Sequence, residues 1–277
     1  MKTPTTTSIR NVLSIAGSDP SGGAGIQADI KAISARGCYG MAALTALTAQ
    51  NTQGVSAVRP LDPDFVEEQI RMVFADIRVD AVKIGMIANA GIADAVARAL
   101  EPHRGIPVVL DPVMIAKGGA ALLDPQAVTV LKDRLLPLAT LLTPNLPEAA
   151  ALLGEPEATD RDIMAAQAAR LVALGPAAIL IKGGHLAGAQ SPDCLLSGEG
   201  TLWLEAGRIP GRNTHGTGCS LSSAIAAELA KGQPLTQAVA SAKSWLQQAI
   251  GKADRLEVGS GHGPVHHFHA IWRSGVT

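Results

Sequence analysis

Short apolar runs, nearly continuous in Val, Ile, Leu and Ala, alternate along this chain with Ala-rich helical stretches, and no other feature constrains its fold as tightly. A strand solvated on one face alternates apolar and polar residues, whereas a strand covered on both faces has no need to. Residues 12–16, 41–48, 81–84, 108–110, 141–142 and 178–181 therefore read as buried strands. Between them, apolar residues at helical spacing predict helices over 27–35, 64–75, 91–100, 126–135, 147–153 and 160–174, several opened by a capping or acidic residue. The order strand, helix, strand implies an α/β fold of three layers, a mostly parallel central sheet flanked by helices on both faces. Residues 193–196 and 201–205, joined across Ser197-Gly198-Glu199-Gly200, predict a hairpin at one sheet edge. Two long helices, 217–231 and 235–250, close the fold.

With 277 residues, 47% hydrophobic and 17% charged, the chain can bury a large core, and one domain over 1–277 is expected, its polar, Thr-rich residues 1–10 flexible. A net charge of −1 with scattered Lys and Arg argues against a nucleic-acid or acidic-membrane partner and points to a small molecule. Cys38, Cys194 and Cys219 have no paired spacing, as in a reducing compartment, and residues 1–10 lack an apolar signal core, so a cytoplasmic location is expected. No apolar run reaches the roughly 18 residues of a membrane span.

In open α/β sheets ligands bind beyond the carboxyl ends of the strands. Four segments of this chain fall there. Ala16-Gly17-Ser18-Asp19-Pro20-Ser21-Gly22-Gly23-Ala24-Gly25 follows the first strand, and its glycines do not have dinucleotide-fold spacing. The phosphate loop of P-loop enzymes is excluded as well, because Gly251-Lys252 is followed by Ala253. Thr214-His215-Gly216-Thr217-Gly218-Cys219-Ser220 precedes a helix, so free N–H groups and the helix dipole there suit an anion such as a transferring phosphoryl group. Cys219 has two readings: a thiol whose pKa the helix terminus lowers, able to take a hydroxyl proton, or a small buried side chain packing the helix start.

Thr143-Pro144-Asn145-Leu146-Pro147-Glu148 places an amide and a carboxylate on a strand-to-helix turn, and Asp111 ends another strand. The two acids suit Mg²⁺, although Glu148 also reads as ordinary first-turn dipole complementarity. In Ile181-Lys182-Gly183-Gly184-His185 a lysine leaves a strand into a double-glycine turn that suits nucleotide phosphates or simply solvent. His266, His267 and His269 suggest zinc, but no Cys or carboxylate stands beside them at structural-site spacing, and a structural or surface role is expected.

In this order the four segments resemble the ribokinase-like superfamily. Residues 16–29, Ala49-Gln50-Asn51-Thr52, Lys83-Ile84-Gly85-Met86 and Gly263-Pro264-Val265-His266-His267-Phe268-His269 narrow the resemblance to the hydroxymethylpyrimidine/phosphomethylpyrimidine kinases of thiamine synthesis, over residues 12–272. That resemblance implies an ATP- and Mg²⁺-dependent phosphotransferase, active first on 4-amino-5-hydroxymethyl-2-methylpyrimidine and then on its monophosphate, and a homodimer. It implies a pyrimidine pocket of Gly17, Ala24, Asp29, Gln50, Met86 and Val113, with Cys219 catalytic. It further implies Mg·ATP near Asp111, Asn145, Glu148 and Lys182, and an anion hole from Gly216, Thr217 and Gly218. Gln50 offers donor and acceptor to an aminopyrimidine edge, or else satisfies loop backbone; Met86 packs on the ring, or else fills core. Lys117, in Met114-Ile115-Ala116-Lys117-Gly118-Gly119, is either the cation that neutralises a second phosphate under a closing lid or a surface lysine. Pyridoxal or pyridoxine kinase activity on the same fold, and a pyrimidine-binding protein without turnover, are the competing functions.

Overall fold

The structure, a computed structural model, describes residues 8–114 and 125–272. Nine strands form one sheet: β1 (Asn11–Ser18), β2 (Tyr39–Gln50), β3 (Val55–Pro60), β4 (Ala81–Ile84), β5 (Val108–Leu110), β6 (Leu141–Leu142), β7 (Ile179–Ile181), β8 (Asp193–Ser197) and β9 (Gly200–Leu204). Their order is β3-β2-β1-β4-β5-β6-β7-β8-β9, and the six strands from β2 to β7 in that row are mutually parallel. The antiparallel additions are β3 against β2 at one edge and the β8–β9 hairpin at the other.

The near-continuous apolar strands are covered on both faces, as their composition requires. Helices α1 (Gly25–Ala35), α7 (Thr217–Ala230) and α8 (Leu235–Gly251) pack Ile33, Ile225 and Trp245 onto one face. Helices α2 (Pro63–Asp76), α3 (Ala90–Leu100), α4 (Pro125–Val130), α5 (Leu146–Leu153) and α6 (Arg161–Val172) cover the other, where Ile70, Val96 and Leu171 meet Ile15 and Ile84. Local chemistry fixes the helix starts. Asp62 accepts from Asp64 and Phe65 N–H ahead of α2, Asn89 from Ile92 N–H ahead of α3, and Asp160 from Ile163 N–H ahead of α6.

Two local expectations change. The helix expected over 126–135 ends at Val130 and widens into a π-type turn, Leu131–Leu135, then a tight Leu136–Leu138 turn at Pro137, which cannot continue the helix. Strand β3 was not expected: it is short, largely exposed and closed by Pro60, so its signal lies in its partner β2 rather than in its own residues. Lys117 lies outside the described residues.

Candidate active site

The carboxyl ends of the parallel strands open into a cavity of about 520 Å³ that receives all four glycine-rich segments. The loop after β1 is organised by Asp19, which is nearly buried. Oδ1 accepts from Ser21 N–H at 2.9 Å and Ser21 Oγ at 2.7 Å, and Oδ2 accepts from Ala24 N–H at 2.9 Å. Burial alone would raise its pKa, but hydrogen bonds from His215, Ser21 and Ala24 outweigh burial and bring it down to about 2. The loop delivers Gly25 at φ 56°, where a Cβ would stand 2.3 Å from the Gly17 carbonyl oxygen, so glycine is required.

The second wall is the turn into α7. Gly216 precedes the helix at φ 72°, and a Cβ there would lie 1.8 Å from the Gly23 carbonyl oxygen. No side chain caps this helix, which leaves the first-turn N–H groups of Thr217 and Gly218 for whatever enters the cavity. Beside it stand the acids and the lysine. Lys182 Nζ lies 2.8 Å from Asp111 Oδ1 and 3.8 Å from Glu148 Oε2. A Cβ on Gly218 would come within 3.2 Å of Lys182 Nζ and 3.4 Å of Asp111 Oδ2, so the turn and the charged cluster share one wall.

Glu148 and Asn145 cap α5 reciprocally: Asn145 Oδ1 accepts from Glu148 N–H and Glu148 Oε2 from Asn145 N–H, each at 2.8 Å. The dipole-complementing reading of Glu148 is thus realised alongside its place in the cavity. Burial pushes its carboxyl up to about 7; Lys182 pulls down and Asp111 pushes further up. Burial would lower the Lys182 ammonium, but Asp111 and Glu148 hold it above the ordinary lysine range. Among the described residues no cluster of three or more His, Cys, Asp or Glu side chains is arranged as a metal cage.

Cys219 faces the cavity between two helix starts, since Gly25 N–H at the head of α1 donates to its sulfur. A lowered thiol pKa was expected there, and the structure reverses it. Burial pushes the thiol up to about 11; Lys83 opposes, while Asp29 and Asp111 add to the rise. Desolvation and two carboxylates outweigh the Lys83 ammonium and the Gly25 N–H bond.

Gly17, Ala24, Gln50, Met86 and Val113 line the same cavity. Met86 packs tightly on Gly17, where a Cβ would meet its methyl at 2.5 Å. Asp29 is the exception. It is fully buried behind the wall, with both oxygens bound by Lys83 Nζ at 2.9 and 2.8 Å, and by Ser223 Oγ and Ser14 Oγ at 2.7 Å each. A carboxylate already receiving these bonds has nothing left to offer a ligand, so the expected contact with the pyrimidine is replaced by a contact with Lys83, which lines the cavity. Three groups were missed by reading the sequence: Asp19, His215 and Lys83. His215 and Asp19 stood inside quoted motifs, but their pairing across 196 positions has no local signal.

The far end of the cavity is built by Ile209, Leu246 and Ile250, with Gln247 beside them. Arg208 closes this end by donating to the carbonyls of Gly184, Leu186 and Gly188. The C-terminal histidines are buried and structural: His267 Nε2 meets Ser220 Oγ at 2.9 Å, and His269 Nδ1 meets the His266 carbonyl at 3.1 Å. The described cysteines are free thiols, Cys38 and Cys194 buried.

A nine-stranded α/β/α sandwich with an uncapped glycine turn facing a lysine–carboxylate cluster defines a ribokinase-like small-molecule kinase. The phosphomethylpyrimidine kinase family matches residues 19–266, and the chain belongs to that family. The hydroxymethylpyrimidine/phosphomethylpyrimidine kinase of Salmonella typhimurium is 54% identical over 262 residues, 95% of this chain and 98% of that protein. Among solved structures, the Bacillus subtilis pyridoxal kinase in its ADP complex superposes with a TM-score of 0.86 at 37% identity, over 95% of this chain and 99% of that one. The phosphomethylpyrimidine kinase of Clostridium difficile does so with a TM-score of 0.76 at 42% identity, over 87% and 99%. No helix among the described residues is long and apolar enough to cross a membrane.

Proposed function

We propose that this protein transfers the γ-phosphoryl group of ATP to the hydroxymethyl arm of 4-amino-5-hydroxymethyl-2-methylpyrimidine, and then a second phosphoryl group to the product, in thiamine synthesis. One observation carries the reading: the Gly216-Thr217-Gly218-Cys219 turn packs directly on Lys182 and Asp111, in one cavity that Gln50 and Met86 line together with Ile209, Leu246 and Ile250. Asp111 and Glu148 fit Mg²⁺, which keeps most of its waters and whose charge would favour the ionised form of Glu148 that burial opposes. Mg·ATP supplies the phosphoryl group and neutralises part of its charge.

The chain's own groups do the rest. Thr217 and Gly218 N–H groups meet the charge on the moving phosphoryl oxygens, Lys182 balances them, and Ile209, Leu246 and Ile250 exclude water around the base. In a loose transition state the alcohol proton leaves late, so a thiol that ionises only near 11 still serves as its acceptor through its minor thiolate form. The second acceptor is already a phosphate anion and needs no such base. Lys117 is carried in this proposal as the cation for that second step. A homodimer belongs to the same reading and is checked by sedimentation equilibrium.

The resemblance in fold to pyridoxal kinases keeps pyridoxal as the second candidate acceptor. Incubation with Mg·ATP and hydroxymethylpyrimidine, pyridoxal or hydroxyethylthiazole, followed by mass measurement of each product, separates the readings. Two phosphates on the pyrimidine are expected; none on it, with phosphate on pyridoxal instead, overturns the proposal.

A further inference from the structure

Gln50 reaches the cavity from the end of β2, and its carboxamide lies between two fixed partners. In the structure its Nε2 stands 3.2 Å from His215 Nε2 and its Oε1 stands 3.2 Å from Thr48 Oγ1, a placement that a half-turn of the amide exchanges. The two orientations of a carboxamide differ by a half-turn, and only the hydrogen-bonding needs of the neighbours choose between them.

Both neighbours choose the same one. His215 Nε2 lies 2.8 Å from Asp19 Oδ2, a carboxylate with a pKa of about 2 that therefore only accepts. Nε2 must carry the hydrogen, whether the ring is neutral or protonated; that single hydrogen is directed at Asp19, and Nε2 then has no lone pair to accept from an amide N–H, whereas an amide oxygen can share its hydrogen. Thr48 has a single hydroxyl hydrogen, and it is committed to the Ser18 carbonyl at 2.8 Å. Towards Gln50 the Thr48 oxygen can then only accept. The amide oxygen belongs beside His215 and the amide nitrogen beside Thr48; the opposite arrangement sets donor against donor at one end and acceptor against acceptor at the other.

We propose that His215, locked by Asp19, is the specificity-determining residue that turns the Gln50 carboxamide so that its oxygen lies on the His215 side and its NH₂ on the Thr48 side. This deepens the function proposed above and rests on it for the substrate. One N–H and one oxygen lone pair of Gln50 remain for a ligand. They match a ring that offers an amino group on the His215 side and an accepting ring nitrogen on the Thr48 side. In the aminopyrimidine the hydroxymethyl arm is bonded next to the carbon bearing the amino group. With the amino group beside His215, that arm points to residues 216–219, which follow His215 directly. With the amide reversed, the amino group and the arm would lie on the Thr48 side, away from the phosphoryl-binding turn. Asp19 and His215 are thus positioning residues: they act through Gln50, and His215 stays in place because its ring packs on Gly23, where a Cβ would meet it at 2.4 Å.

The orientation itself is read without substrate. In ¹⁵N-labelled protein the Gln50 side-chain NH₂ should give nuclear Overhauser contacts to Thr48 and none to the His215 ring; contacts to the His215 Hε1 or Hδ2 proton instead would overturn the proposal, whatever the enzyme phosphorylates. The consequence is read by comparing the 4-amino ring with its 4-oxo analogue in wild type and in His215→Phe, which keeps a flat ring and removes the N–H. The kcat/KM preference for the amino ring should fall at least tenfold in His215→Phe. An equal loss on both rings, leaving the preference unchanged, would show a merely structural role and sink the idea; if His215→Phe does not fold, the spectroscopic result decides alone.

Discussion

A thiol held near 11 is ionised in about one molecule in 10⁴ at pH 7, so Cys219 acts as a base through that minor thiolate form, which grows with every unit of alkalinity. The first phosphorylation should therefore speed up between pH 7 and 9, because the thiolate fraction grows with pH, and Cys219→Ala should abolish that slope. The same variant should lower the first turnover about 10²-fold and the second less than tenfold, since only the first acceptor has a proton to lose; steady-state rates on the alcohol and on its monophosphate check both. Gln50→Leu strands the polar edge of the ring and should raise KM about tenfold, with calorimetric affinity falling in parallel. At this scale the glycines, the acids and Cys219 were legible because loop chemistry is written in consecutive residues. The protonation of Cys219 was not, because it depends on Asp29 and Asp111, which arrive from other strands and helices.

Helix α1 is tied to β4 and α7 by the buried Asp29–Lys83 pair, with Ser14 and Ser223 completing the carboxylate's bonds. Removing one partner leaves an uncompensated buried charge. Lys83→Met should therefore cost about 3–5 kcal/mol in urea unfolding, and Lys83→Met combined with Asp29→Asn clearly less than the sum of the single losses. The turn from β6 into α5 carries Glu148, whose carboxyl sits near 7. Mg²⁺ affinity measured by calorimetry should rise from pH 6 to 8, as this carboxyl loses its proton, and that rise should vanish in Glu148→Gln. Strands β1, β4, β5 and β6 and the β8–β9 hairpin were legible because their residues are mostly apolar or bracketed by turn residues. Strand β3 was not, because an exposed edge strand is defined by the partner it meets.

Over the whole molecule, the C-terminal segment binds distant parts of the fold together. His262 N–H donates to the Thr52 carbonyl, His266 N–H to that of Ala249, and His267 meets Ser220 in the first turn of α7. Burial, helped by Lys31, His266 and His269, lowers the His267 pKa to about 3. Between roughly pH 6.5 and 3 the unfolded chain thus binds a proton that the native one refuses, and this contribution to stability falls as pH falls, by about 1.4 kcal/mol per unit. Glu148, raised to about 7, has the opposite sign over pH 7 to 4.5, so the histidine is isolated by difference. From pH 7 to 5 wild type should lose about 2 kcal/mol relative to His267→Gln in denaturant titrations. The sandwich was legible from strand and helix order, whereas these clasps were not, since each joins residues from separate elements and the longest, His262 to Thr52, spans the chain from the loop after β2 to its C-terminal segment. The same separation bears on how the protein is made. Asp19 waits for His215 and Thr52 for Gly261, so a ribosome that stops short of the last quarter of the message releases a sheet with apolar layers but no reaction centre. Truncated products of interrupted synthesis cannot spend nucleotide.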